Sequence, residues 1–381
     1  MRITTLRTFL VPPRWCFLRI DTDDGISGWG EPVVEGRAAT VARAVEELGD
    51  YLIGRDPAPI EDHWQVLTKG GFYRGGPILS SAVAGIDTAL WDIAGKVAGR
   101  PIHGLLGGPV RDRVRAYGWI GGDRPSEVAA SAKEAIARGF DAVKMNGSAE
   151  LGPIATPGAT GDIVARLEAV REAIGPGRDV AVDFHGRVSP AMARRLLPLL
   201  EPSMPLFVEE PVLPELVDAL RSIVAATAIP IAAGERAYSR WDAKPLLDAG
   251  VAVLQPDPQH AGGISEVRRI AALAELYGAN LAPHCPLGPI ALAACLQLDL
   301  AIPNVLIQET GLGIHYDDGF ALTDYLIDPS VLRIDAGHLQ TPPGPGLGIE
   351  IDADAVEGAA GRGHRWRNPV WRHPDGSFAE W

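Results

Sequence analysis

From about residue 114 the chain repeats one unit, strand then turn then helix, and this alternation restricts its possible folds more than any other feature. Apolar runs at 114–120, 140–146, 179–185, 205–210, 229–235, 250–257, 279–284 and 304–309 read as strands. Each intervening stretch is long enough for a helix, and 216–225 and 264–277 carry apolar residues at helical spacing. Neighbouring parallel strands need a long crossover, which a helix supplies. Eight such units predict an α/β fold of the TIM-barrel type. The stretch 147–162, rich in Gly, Pro and Ala, reads as a surface loop before the next helix. The most apolar long stretch, 287–302, is interrupted by Gln297 and Asp299 and is too short to span a membrane, so it reads as a buried helix.

The first hundred residues follow another pattern. Runs at 2–10, 15–22 and 26–29 have β character, with the turn Asp23-Asp24-Gly25 between the last two. Apolar positions at helical spacing follow at 37–53 and 78–98, and Gly99 and Pro101 close the second helix. The expected division is an α+β domain over 1–113, the barrel over 114–320, and a segment over 321–381. From 342 onward that segment is rich in Pro, Gly and Trp and is expected to pack back on the first domain.

A formal net charge of -13 with no basic stripe argues against nucleic acid or an anionic membrane as a partner. It would also repel an anionic small molecule, unless a bound divalent cation reverses the field locally. Cys16, Cys285 and Cys295 form neither a disulfide framework nor a zinc-binding pattern, and the N-terminus lacks a secretory-signal pattern. A cytoplasmic protein is expected.

Active-site groups of such barrels project from the C-terminal ends of the strands. Asp183, Glu209 and Glu235 fall at the ends of the third, fourth and fifth predicted strands, at equal intervals along the chain. Three carboxylates brought to one rim repel one another unless a cation lies between them. All-oxygen ligands point to Mg²⁺. Asp257 and His284 end the next two strands, so the carboxylate can fix the imidazole tautomer and make His284 a general base. His185, two residues beyond Asp183, is expected to share its direction by strand alternation and to serve as a second, acidic histidine. Glu309 ends the eighth strand and is placed to hydrogen-bond a bound intermediate. Lys144 and Asn146 share one face of the second strand, where Lys144 is either a cation near the carboxylates or a salt bridge at the barrel bottom. Arg14 and Trp15, at a loop-to-strand entry, either cap the barrel mouth or pack in the first sheet. Trp119 is either a wall of the site or a core aromatic.

These residues resemble the mandelate racemase branch of the enolase superfamily across essentially the whole chain. The resemblance implies a (β/α)₇β barrel under an α+β capping domain. It implies magnesium ligands at Asp183, Glu209 and Glu235, a His284–Asp257 dyad, and a functional Glu309. Many racemases of this branch carry Lys-x-Lys on strand two; here the second position is Asn146, which disfavours racemisation with a second lysine base. The segments 71–77, 183–189, 283–290, 368–373 and 379–381 are similar to acid-sugar dehydratases of the branch. That likeness implies Mg²⁺-dependent dehydration of an aldonate or aldarate, with epimerisation or racemisation as the alternative. Arg14, Trp15, Trp119 and Asn146 are, from their places in the chain, the residues expected to bind substrate; the resemblance also implies a homo-oligomer, an octamer being one form. A catalytically inactive barrel would have little reason to keep this set of carboxylates and histidines.

Overall fold

A three-stranded antiparallel meander opens the chain: β1 (Ile3–Val11), β2 (Trp15–Thr22) and β3 (Ser27–Gly30). The computed structural model describes residues 1–313 and 320–380, so Trp381 of the terminal motif lies outside the described residues. Helices α1 (Ala38–Leu52), α2 (Ile60–Lys69), α3 (Pro77–Ala98) and α4 (Ile102–Leu105) follow. Two glycines of β3 let α3 lie almost against the strand backbone. A Cβ at Gly30 would stand 2.0 Å from Gly85 O, and one at Gly28 would stand 2.1 Å from Ala89 O. The second helix is absent from the sequence reading because its buried residues are only Ile60, His63 and Trp64, too few to set a period.

Among the described residues, eight parallel strands build the barrel: β4 (Arg113–Ile120), β5 (Ala142–Asn146), β6 (Asp179–Asp183), β7 (Val208–Glu209), β8 (Ile231–Ala233), β9 (Val253–Leu254), β10 (Asn280–Leu281) and β11 (Gln308–Thr310). The ring closes at both ends of the last strand. Gln308 pairs with Ala116 of β4, and Leu306 N donates to Leu281 O at 2.7 Å. Seven helices alternate with the strands: α5 (Pro125–Ala137), α6 (Pro157–Ile174), α7 (Pro190–Leu200), α8 (Val217–Val224), α9 (Arg240–Asp248), α10 (Ile264–Leu276) and α11 (Pro289–Ala301). The architecture is therefore (β/α)₇β. Tyr117, Ala142, Ala181, Phe207, Ala232, Val253, Ala282 and Ile307, one residue in or next to each strand, fill the barrel interior. Helix α11 is buried on all sides, as its apolar sequence requires.

Two expectations change. The loop expected over 147–162 ends sooner, because Thr156 caps α6 by accepting from Ala159 N at 3.2 Å and Pro157 starts its first turn. Beyond residue 320 the chain adds a hairpin, β12 (Ile334–Asp335) and β13 (His338–Gln340), whose second strand pairs antiparallel with β4. Both strands are too short to show a period in sequence.

The remainder of the tail reaches the first domain. Helix α12 (Ala353–Ala360) packs on β1, and Tyr325 Oη donates to Pro12 O at 2.6 Å. One buried carboxylate joins three parts: Asp92 accepts from Trp29 N at 3.0 Å, Lys96 Nζ at 2.6 Å and Leu347 N at 2.9 Å. Asp92→Ala leaves two buried backbone donors without acceptors. It is expected to cost about 3 kcal/mol, read as a lower urea midpoint for unfolding.

Candidate active site

Strands β6 and β7 pair in register, so Asp183 and Glu209 stand side by side at the C-terminal rim. Glu235, just beyond β8, joins them. The three offer carboxylate oxygens that lie within 4.8 Å of one another. Burial and the charge of Asp183 push the Glu209 pKa well above the carboxylate range. Burial and Glu210 raise that of Glu235 to about 7. Asp183 Oδ2 and Glu209 Oε1 are buried and have no hydrogen-bond donor among the described residues. Orphaned buried acceptors on converging carboxylates fit a hard divalent cation, whose oxygen ligands they would become.

Lys144 on β5 lies at this rim, so the bottom salt bridge is excluded. Its Nζ is 2.6 Å from Glu209 Oε2, 3.0 Å from Glu309 Oε1 and 3.5 Å from Asp183 Oδ2. Burial alone would lower its pKa, but Glu209 and Glu309 outweigh this and hold it well above the usual lysine value. Glu309 forms an ion pair with Lys144 and accepts from Trp119 Nε1 and, at 2.9 Å, from Cys285 N. Burial would raise its pKa, yet Lys144 and His284 bring it to about 2. Glu309 is thus a buried negative charge held in place by its neighbours, and it still borders the cavity.

His284, just past β10, places Nδ1 2.8 Å from Asp257 Oδ2 and Nε2 3.3 Å from Glu235 Oε2. Burial lowers its pKa, but Glu309 and Asp257 override burial and raise it well above the imidazole value. With Nδ1 committed to Asp257, Nε2 faces the carboxylate cluster.

His185 reaches the site by a different route from the one expected. Strand β6 ends at Asp183, and His185 sits in a left-handed turn with φ 48°, followed by Gly186 at 79°. A tight turn, and not strand alternation, delivers the ring. His185 N donates to Asp183 Oδ1 at 2.8 Å, and the ring stacks on Trp119 at a centroid distance of 5.8 Å.

His185, His284, Glu235, Glu309, Asn146, Trp119 and Arg14 line one cavity of about 1090 Å³. Asn146 Oδ1 is buried there with no donor among the described residues. Trp15 is placed elsewhere. Its ring is buried at the start of β2 against Phe17 and Tyr325 of the tail, while Arg14, in the turn before that strand, borders the cavity. The same cavity takes residues the sequence reading did not select: Glu35, Arg187, Arg236, His260, Trp366 and Trp371. His260 and Arg236 carry a usable signal, since each closely follows a strand-end acid. Glu35 carries none, coming from a capping loop.

Residues 4–107 match the family model "Mandelate racemase / muconate lactonizing enzyme, N-terminal domain", and residues 127–355 match "Enolase C-terminal domain-like". The D-galactonate dehydratases of Variovorax paradoxus and Ralstonia nicotianae are each 54% identical to the chain, over 100% of both sequences. An enolase from Agrobacterium radiobacter, solved with sodium and L-malate bound, superposes with a TM-score of 0.91 at 32% identity and covers 100% of each chain. A mandelate racemase/muconate lactonizing enzyme from Jannaschia sp. CCS1 superposes with a TM-score of 0.89 at 30% identity, covering 97% of this chain and 100% of its own.

Proposed function

Since the chain belongs to the mandelate racemase/muconate lactonizing enzyme family of the enolase superfamily, we propose that it dehydrates D-galactonate to 2-dehydro-3-deoxy-D-galactonate and water. The observation that carries this reading is one cavity holding three convergent carboxylates, an Asp-fixed histidine and a second histidine.

Asp183, Glu209 and Glu235 would hold Mg²⁺, which would supply Lewis acidity toward the substrate carboxylate and offset the Glu235 charge beside His284. His284, its tautomer set by Asp257, takes the C2 proton at Nε2. Lys144 stabilises the negative charge that develops on the substrate as C2 is deprotonated, and being already ordered by three carboxylates it reorganises little. Hydroxide is a poor leaving group, so His185 gives a proton to the departing 3-hydroxyl, and the enol product ketonises in place. Trp119 holds the His185 ring by stacking and Glu309 by a hydrogen bond of its own indole N–H, which links the acid to the Lys144 cluster. Arg14 and Asn146 bind the rest of the sugar chain.

Asn146 counts against a racemase with a second lysine base, and the site chemistry alone would equally suit other aldonates or aldarates. The same reading divides the chain at 1–113, 114–320 and 321–381 and takes it as a cytoplasmic homo-oligomer. Three buried free thiols fit a reducing compartment. Among the described residues no helix is long and apolar enough to cross a membrane.

The test is a screen of aldonates and aldarates with Mg²⁺, detecting 2-keto-3-deoxy acids. D-galactonate is expected to turn over fastest, to lose turnover in EDTA, and to regain it when Mg²⁺ is restored. Turnover of a different acid sugar alone would transfer the chemistry to that substrate. Metal-independent turnover would overturn the mechanism.

A further inference from the structure

The chain between residues 364 and 371 touches both halves of the molecule along the cavity wall. At its start, His364 Nε2 lies 3.0 Å from Trp15 O, and the Arg14 guanidinium lies over the Trp366 ring at 4.9 Å. Asn368 packs against Gly36 so closely that a Cβ there would stand 2.8 Å from Asn368 Oδ1. At its end, the Arg187 guanidinium lies over the Trp371 ring at 4.8 Å. Trp366, Asn368 and Trp371 all line the cavity that holds His185 and His284.

Both guanidiniums are deeply buried, Arg14 at 5% and Arg187 at 8% exposure. A cation–π contact is worth most where the cation has lost its water, so each ring adds to the other contacts of its arginine, which for Arg14 include Glu35 Oε1 at 3.7 Å and Pro286 O at 3.4 Å. Arg187 is also part of the turn that presents His185. Its N donates to Phe184 O at 2.9 Å, and its Nη1 donates to Ser148 O at 2.6 Å. A tail serving stability alone would bury its aromatic rings in a core. Here the rings are half-buried, each bears on a buried arginine, and they border a polar cavity.

We infer that residues 364–371 are a working wall of the active site, in which Trp366 positions Arg14 against the substrate and Trp371 positions the His185 turn through Arg187. This rests on the dehydratase reading for the roles of Arg14 and His185. The two tryptophans are positioning residues with separable effects. Trp366 acts on binding, because Arg14 contacts the ground-state substrate. Trp371 acts on turnover, because the turn it steadies carries the general acid.

The experiment compares Trp366→Ala, Trp371→Ala and the corresponding Phe variants with the wild type on D-galactonate with Mg²⁺. Trp366→Ala is expected to raise KM about tenfold with kcat nearly unchanged, and Trp371→Ala to lower kcat about tenfold with KM nearly unchanged. Each Phe variant keeps a ring face and is expected to recover most of the loss. Hydrogen exchange on His284→Asn gives a readout that needs no turnover: adding Mg²⁺ and D-galactonate is expected to slow exchange across 364–371. Alanine variants within twofold of wild type in both constants would overturn the inference. So would equal losses in kcat and KM that track a lowered Tm whichever tryptophan is replaced, or unchanged exchange in the strap. A wild type inert toward every acid sugar, with the strap still protected on binding, would overturn the dehydratase reading and leave the wall in place.

Discussion

His284→Asn is expected to lower dehydration of D-galactonate by at least about a thousandfold while Mg²⁺ affinity stays within about twofold, within the range a positioned general base supplies. Asparagine is close in size and its amide can still donate to Asp257, which sits 2.8 Å from Nδ1 in the native protein. What it cannot do is accept a proton at the position of Nε2. The carboxylates of Asp183, Glu209 and Glu235 are untouched by the change, so the cation site persists. Product formation is followed as 2-keto-3-deoxy acid, and Mg²⁺ binding by titration calorimetry. Turnover close to that of the wild type would remove His284 from the chemistry. Loss of metal binding together with turnover would make it a structural neighbour of Glu235, from which its Nε2 is only 3.3 Å away.

The second large effect is expected at Lys144. Replacing it by Met keeps much of the stem volume and removes the one charge shared by Glu209, Glu309 and Asp183. Breaking a buried charge cluster by deleting one partner costs about 3–5 kcal/mol, since the remaining charges stay buried without compensation. The metal-free variant should therefore melt well below the wild type. Added Mg²⁺ should restore more Tm in the variant than in the wild type, because a cation then relieves repulsion that Lys144 normally shares. Turnover should still fall about a hundredfold with Mg²⁺ present, as the electrostatic stabilisation of the developing charge is gone. Thermal unfolding with and without Mg²⁺ separates the two effects. Unchanged metal-free stability would show that the carboxylates are protonated rather than held by Lys144.

Much of this was legible in the linear chain. Barrel strands announce themselves because a strand buried on both faces must be apolar throughout, and the spacing between them admits a helix each time. Asp183, Glu209 and Glu235 could be selected because the end of a strand is readable as the point where an apolar run stops, and the fold turns those points to one rim. Asp257 and His284 follow from the same logic on adjacent strands. His185 does border the cavity, but by a geometric route other than the one expected. Its place comes from a left-handed turn at φ 48°, which local sequence beside Gly186 does not distinguish from a continuing strand.

Periodicity and strand ends are short-range properties, and they are what the sequence determined by itself: the α/β barrel, the N-terminal meander and the rim of three carboxylates. The tertiary structure alone decided where single side chains point and which distant segments meet. Arg14 and Trp15 are adjacent in sequence, yet one borders the cavity and the other the core, because the chain passes there from a turn into β2 and the surrounding packing decides where each side chain goes. Glu309 was legible as a strand-end acid, but its contacts with Lys144, Trp119 and Cys285 depend on three other elements. Glu35, Trp366 and Trp371 enter the same cavity from opposite ends of the chain. No local pattern encodes such a meeting, because it is set by how the capping domain and the tail are packed over the barrel, which is a property of the completed core.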